Sequence, residues 1–414
     1  LAYKVKRHKK IYRRNRSRRF SPLHIFLTIL IAGVVFFVGW SVYQPVVDFI
    51  TGKTPVPENT SSASMPVSDA GSSSEVSEAS QPGNTPENTD ASKSAYLPVD
   101  VLKDSARLDS FLSSLEGSQI NAVVVDLKDE TGILHYASKN AQAVSADAVA
   151  SDAVDLSAVI KKLKEHGMEL IARVNAFRDH TMPYANADMA VRYQSEGGTL
   201  WLDDYYENGG KAWLNPYSSS SQQYITDLLN ELAAAGVKQF LLDGVQFPEG
   251  VGLNLAYYPG SGSKSQQQAL SDFIGAVDTA MEEKNCKVSV YLPAEAFIGD
   301  GLAQYGGNAK GIAFHAVTVD LRPSEFDSDV EINGANLTDP VSKPYETVKT
   351  ILGALKASLG SSAEITGVIQ SDGYTTAEIS DEIKALNEQD VTDYLLFSEE
   401  GSYSFEKSGT SAAS

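Results

Sequence analysis

Gln239-Phe240-Leu241-Leu242-Asp243-Gly244-Val245-Gln246-Phe247-Pro248 is the stretch on which the reading of the fold turns. Phe240, Leu241 and Leu242 form a short apolar run, the pattern of a strand buried on both faces. Asp243 ends the run, Gly244 follows and Pro248 closes the segment, so the strand opens into a loop there. A carboxylate at the C-terminal tip of a buried parallel strand lies where barrel enzymes keep their chemistry. The plainer role for Asp243 is to cap a turn or to pair with a neighbouring Arg.

Outward from this strand the pattern repeats. From residue 95 onward, short apolar runs alternate with helical segments, the signature of a parallel sheet with crossover helices. The runs fall at 95–99, 122–127, 169–174, 240–245, 287–292, 316–321, 365–369 and 394–397. Helical periodicity marks 106–115, 157–166, 221–235, 266–283, 344–359 and 376–388. Gly167 and Gly236 follow the second and third of these, as C-caps do. Eight strands over about 310 residues predict an α/β fold, a single (β/α)8 TIM barrel at 95–405. An open doubly wound sheet is the alternative. The first strand is not followed by Gly-x-Gly-x-x-Gly, which weakens a dinucleotide-binding version. No internal repeat is visible.

The front of the chain is of another kind. Residues 1–20 hold ten Lys/Arg and no acid, a basic cytoplasmic tail. Residues 23–43 contain no Asp, Glu, Lys or Arg and are long enough to cross a bilayer as a helix. Trp40 and Tyr43 close the run where interfacial aromatics are expected. The basic flank keeps the N-terminus inside, so the reading is a single-pass anchor at 21–45 with the body extracellular. A cleaved signal peptide would have a shorter apolar core ending in small residues. Residues 46–94, rich in Ser, Pro, Thr, Asn and Glu, read as a disordered linker, and 406–414 as a disordered tail. Setting aside the ten basic residues of the tail leaves 24 basic against 53 acidic, a net of −29. Such a body excludes general nucleic-acid binding. Cys286 is the single cysteine, so no intramolecular disulfide is available.

If the strand count holds, polar side chains collect at the C-terminal tips. They are Asp126, Lys128 and Asp129 after the second strand, Arg173 on the third and Asp243 on the fourth. Glu295 follows the fifth, and Asp320 ends the sixth. The loop from about Phe177 to Tyr217 is the longest and carries Trp201, Asp203, Asp204, Trp213 and Tyr217. Aromatic faces stack on sugar C–H faces and carboxylates accept sugar hydroxyls, so these read as substrate-binding residues. The same aromatics could instead pack the loop onto the barrel. His135, His166, His180 and His315 show no ligand spacing, and no His-Glu-x-x-His occurs, so no metal or other cofactor is expected. A Gly-x-Ser-x-Gly elbow is likewise missing.

Three stretches then carry a resemblance: Val124-Val125-Asp126-Leu127-Lys128-Asp129-Glu130-Thr131-Gly132, Ile171-Ala172-Arg173-Val174-Asn175-Ala176-Phe177-Arg178-Asp179 and Ala212-Trp213-Leu214-Asn215-Pro216-Tyr217. In this order they resemble a family of uncharacterised bacterial (β/α)8 proteins regarded as glycoside hydrolases, distant relatives of the α-amylase superfamily. The family's fourth-strand motif usually reads Asp-Tyr-Val-Arg-Phe-Pro; here it is Asp243-Gly244-Val245-Gln246-Phe247-Pro248, without the Tyr and the Arg. Its sixth-strand motif is altered to Val319-Asp320-Leu321-Arg322-Pro323-Ser324-Glu325-Phe326, so this is a divergent member. The resemblance implies that Asp243 is the nucleophile and Glu295 the general acid/base of a retaining hydrolase. In amylase-like sites a nearby Arg keeps the nucleophile ionised. Asp320 could serve as a third, orienting carboxylate.

Three functions follow as expectations. The first is a membrane-anchored glycoside hydrolase acting on cell-wall or extracellular polysaccharide. The second is a barrel that binds a glycan or a surface partner without turnover. The third is a structural envelope protein.

Overall fold

The computed structural model describes residues 92–194, 198–332, 335–359, 363–403 and 405. The expected anchor at 23–43, nearly all of the linker and the 406–414 tail lie outside the described residues. Among the described residues no helix is long and apolar enough to cross a membrane.

Eight parallel strands form at the eight apolar runs: β1 (Lys93–Tyr96), β2 (Ala122–Lys128), β3 (Glu169–Asn175), β4 (Gln239–Asp243), β5 (Lys287–Pro293), β6 (Ala316–Asp320), β7 (Glu364–Gln370) and β8 (Tyr394–Phe397). Each pairs in parallel with the next. β1 also pairs with β8, which closes the sheet into a barrel and rules out the open doubly wound alternative. Closure removes both sheet edges, so every strand's backbone groups find partners.

The period of two sorts the side chains. Val123, Val125 and Leu127 of β2 point outward into the large core beneath the helices. Val124, Leu241, Val368 and Leu395 point inward and meet with Tyr96, Ile171, Tyr291 and Phe397 around them. That inner cluster fills the barrel's middle and separates its two ends.

The six expected helices are present: α1 (Ser105–Leu115), α2 (Leu156–Glu165), α3 (Ser219–Ala234), α4 (Gln266–Glu282), α5 (Pro344–Leu359) and α6 (Thr376–Asn387). α3 shows why: Tyr224, Ile225, Leu228, Leu229 and Leu232 recur at three- and four-residue spacing and are all buried. Caps fix the starts. Asp104, Asp155, Ser218 and Ser265 accept backbone N–H bonds at α1 to α4, and Thr375 with Glu378 forms a capping box at α6. Each cap is worth about 1 kcal/mol. Gly167 and Gly236 take positive φ after α2 and α3, as C-cap glycines do. The β5–β6 connection contains only three short 3-10 turns.

Two excursions decorate the barrel. Leu134–Tyr136 adds antiparallel to β2, and Val149–Val154 pairs with it. The long segment after β3 folds back on itself through bridges at Ala190, Arg192 and Leu202, around a small core of Val191, Trp201 and Trp213.

Candidate active site

The inward residues of the last turn of the barrel are charged. Asp126 pairs across the ladder with Arg173, and Asn175 with Asp243. The strands therefore deliver two carboxylates to either side of one guanidinium. Arg173 Nη2 lies 2.5 Å from Asp243 Oδ2, and its Nη1 lies 3.4 Å from Asp126 Oδ1. The guanidinium also sits over the Tyr291 ring, 5.0 Å from its centroid. Burial works against the Arg173 charge, but Asp243 and Asp126 outweigh it and hold the group firmly protonated. Asp243 Oδ1 accepts the backbone N–H of Gly244 at 2.6 Å, so both of its oxygens are held.

Gly244, where the resembled motif has Tyr, has a positive φ of 58°. A Cβ there would fall 2.1 Å from Asn175 Oδ1. The close approach of β3 to the end of β4 thus demands glycine.

Asp126 is further held by Tyr96, whose hydroxyl donates to its Oδ2 at 2.6 Å. Burial pushes the Asp126 carboxyl up, the Asp243 charge adds to this, and Arg173 and Tyr96 pull against it. On the opposite wall, Arg322 grips Asp320 through Nε to Oδ1 at 2.9 Å and Nη2 to Oδ2 at 2.6 Å. The Tyr291 hydroxyl donates to the same Oδ2. Arg322 lies over the Phe397 ring at 4.3 Å, and Phe397 stacks on Tyr96. A continuous ring of contacts thus runs from Asp126 through Arg173, Tyr291, Asp320, Arg322, Phe397 and Tyr96 back to Asp126.

Glu295 stands in the short turn Ala294–Phe297 that follows β5. Burial pushes its carboxyl above the usual glutamate range; its backbone opposes this, and the charges of Asp320, Glu325 and Asp327 reinforce it. Burial, with the charges of Asp243, Glu249 and Glu295 adding to it, pushes the Tyr305 phenol up. Its hydroxyl donates to Gln246 Oε1 at 3.1 Å.

Of the residues expected at the site, Asp126, Arg173, Asp243 and Asp320 are brought together, and Glu295 stands on the turn after β5, within reach of the Asp320 charge. The others are placed differently. Lys128 is 1% exposed and bonded to Asp179 at 2.9 Å and to the Asn175 carbonyl at 2.8 Å, so it ties β2 to β3 and cannot touch a substrate. Trp201 and Trp213 are 0% and 1% exposed and offer no ring face for stacking. They form the core of the long loop, which corrects their reading as sugar platforms. Asp203 accepts Trp213 Nε1 at 2.9 Å and Lys211 N at 2.6 Å, and Asp204 caps a turn at Tyr205. Tyr217 packs on Phe247 and Tyr258. Asp129 closes its own turn; against burial, bonds from His135, Thr131 and the Ile133 N–H bring its carboxyl down to about 2. Sequence reasoning gave Tyr96 and Arg322 no role at the site and took Tyr291 only as cover that buries a carboxyl. Their signal was the period of two, which points Tyr96 and Tyr291 inward toward the same end as Asp243. Among the described residues no group of three His, Cys, Asp or Glu is placed to hold a metal ion.

A closed (β/α)8 barrel with aspartates and arginines interlocked at its C-terminal strand tips is built as barrel enzymes are. The chain belongs to the family described as "Putative glycosyl hydrolase domain", which matches residues 94–403. No curated protein matches it. Among solved structures, it is similar to a hypothetical protein from Ruminiclostridium thermocellum at 22% identity, over 47% of this chain and 96% of that one, with a TM-score of 0.42. A glycoside hydrolase family 20 β-N-acetylglucosaminidase shares 12% identity over 76% of this chain and 65% of its own, with a TM-score of 0.44. An uncharacterized protein from Listeria monocytogenes shares 11% identity over 77% of this chain and 29% of its own, at 0.48.

Proposed function

We propose that the barrel cleaves glycosidic bonds at its C-terminal end by a retaining mechanism. Asp243 is the nucleophile and Glu295 the general acid/base. The observation that carries this reading is the Arg173 bridge between Asp243 and Asp126. It sets a guanidinium from β3 against the proposed nucleophile, although the β4 motif lacks its own Arg. Glu295 stands on the turn after the adjacent strand β5, and burial pushes its carboxyl up, the direction a general acid needs.

In the first step Glu295 protonates the departing glycosidic oxygen while Asp243 attacks the anomeric carbon. A glycosyl ester forms and the leaving sugar departs with the proton. In the second step the Glu295 carboxylate takes a proton from water, whose oxygen attacks the same carbon and frees Asp243. Tyr291 and Arg322 hold Asp320 in place as the orienting carboxylate. Release of reducing ends from a panel of cell-wall and α-glucan oligosaccharides tests the reading. A wild type inactive across that panel, yet binding its members, would leave a glycan-binding barrel instead.

The substrate class goes with location. Residues 23–43 are proposed to anchor the chain, with residues 46–94 spanning from the bilayer to the barrel outside the cell. Their charge pattern supports this. External protease should degrade the barrel on intact protoplasts, and protection until lysis would sink the topology.

A further inference from the structure

The N-terminal end of the barrel, opposite the proposed active site, holds a cavity of about 500 Å³. That is within the ~300–1,000 Å³ of small-molecule sites. Barrel interiors are ordinarily filled by bulky side chains. Here the inward positions near the start of the strands are small and polar: Ser94 on β1, Ser289 on β5, Thr318 on β6 and Thr366 on β7. The floor is apolar, made by Val124, Ile171, Leu241 and Leu395. This same layer separates the cavity from Asp126, Arg173 and Asp243.

The wall hydroxyls keep hydrogen-bonding capacity to spare. Ser94 Oγ has its proton committed to the Tyr394 carbonyl at 3.1 Å. Ser289 and Thr318 share one bond at 2.8 Å, which commits another proton. One hydroxyl of that pair keeps its proton and every oxygen of the wall keeps acceptor capacity, so the wall can both donate and accept. The mouth is acidic. Glu169, Asp278, Glu282, Glu364 and Asp393 line it, against Lys287 and His315. Glu364 and Asp393 stand at the starts of the adjacent strands β7 and β8. Burial, with the Glu364 charge adding to it, pushes the Asp393 carboxyl up against the pull of Ser92 N–H and Lys287. Ser92 Oγ, also lining the mouth, is buried with no protein partner.

We propose that this cavity is a second binding site, for a small hydroxylated amine. Its ammonium group sits among the mouth carboxylates, its hydroxyls on the Ser/Thr wall and its carbon frame on the apolar floor. An anion is repelled at the mouth, and a purely apolar molecule would leave the hydroxyls of the wall without partners. The proposal does not depend on catalysis at the other end.

Glucosamine, glucose and gluconate are titrated into the full-length chain by calorimetry. Saturable glucosamine binding, weaker glucose binding and no gluconate binding are expected. Glu364→Gln, on an exposed side chain, should weaken glucosamine about tenfold, the loss of one charge-assisted hydrogen bond, and leave glucose unchanged. Thr366→Leu should fill the cavity and abolish binding of both. Asp243→Asn should leave glucosamine binding as it was. The proposal falls if glucosamine does not bind saturably, if gluconate binds as well, or if affinity survives both Glu364→Gln and Thr366→Leu. It falls equally if Asp243→Asn abolishes binding, which would place the amine at the C-terminal end.

Discussion

The same strands build two unlike ends. At the C-terminal tips of β2, β3, β4 and β6 the inward residues are Asp126, Arg173, Asp243 and Asp320, with Tyr96 and Tyr291 between them. Near the start of β1, β5, β6 and β7 they are Ser94, Ser289, Thr318 and Thr366. One end is built of long side chains paired with each other, and the other keeps an open volume behind short hydroxyls. The difference shows that polarity alone does not locate chemistry in a barrel. Both ends are polar, which corrects the expectation that polar residues gather at one. What separates them is pairing: carboxylates bound to guanidiniums at one end, and at the other an excess of carboxylates around a hydroxyl-lined space.

The comparison breaks most sharply at Asp243. Asp243→Asn keeps the shape and removes the attacking carboxylate, so turnover should fall on the order of 10³-fold or more. Full activity in that variant would move the site elsewhere. Glu295→Gln carries a second signature. Its carboxyl is pushed up by burial, and the acid must be protonated to act. Activity of the wild type should therefore be present below the Glu295 pKa and lost as pH rises through it, at a pH above the ordinary glutamate range. In Glu295→Gln that basic limb should disappear along with about 10²–10⁴ of the rate. A limb that persists would assign it to another group.

Next in size is the long loop. Trp213→Ala empties the centre of its small core and should cost about 3–5 kcal/mol of stability in denaturant unfolding. Glycan binding by the folded fraction should hardly change, because the ring is buried. A selective loss of binding with stability intact would restore Trp213 as a platform.

Arg173→Met should cost about 3 kcal/mol, since it leaves Asp126 and Asp243 facing each other partly buried without the cation between them. Lowering the pH should narrow that gap, because protonation removes the like-charge repulsion the variant exposes. A deficit independent of pH would mean that packing over Tyr291, not charge, is what Arg173 supplies.

The barrel itself was legible. Eight apolar runs, helical periodicity and Gly167 and Gly236 marked the elements, because burial on both faces leaves a continuous apolar run that no loop imitates. The strand tips were legible too, and four of their charged residues converge. The failures share one cause. Composition shows that a Trp or a Lys is present, and the fold decides whether it faces in or out. Trp201, Trp213 and Lys128 face in. Arg173 could be placed on β3 from the sequence, but its bridging of Asp126 and Asp243 needed the registers of the three strands. The Ser and Thr residues of the N-terminal cavity alternate with apolar neighbours and look like ordinary strand residues. Only closure of the barrel gathers them.

The smallest effects belong to that end. Ser289→Ala and Thr318→Val each remove one partner of the same 2.8 Å hydrogen bond. A net bond of this kind is worth about 1 kcal/mol. The hydroxyl left behind faces a cavity large enough to admit water, so it does not meet the full penalty of a dry orphan. The double variant should then lose little more than either single one, because both singles delete the same interaction. Turnover should be unchanged in all three, since the layer of Val124, Leu241, Val368 and Leu395 stands between this bond and Asp243. Strict additivity of the two stability losses would show that the bond does not form in solution. A fall in turnover with stability preserved would show that the layer transmits strain, and the two ends would have to be treated as one coupled site.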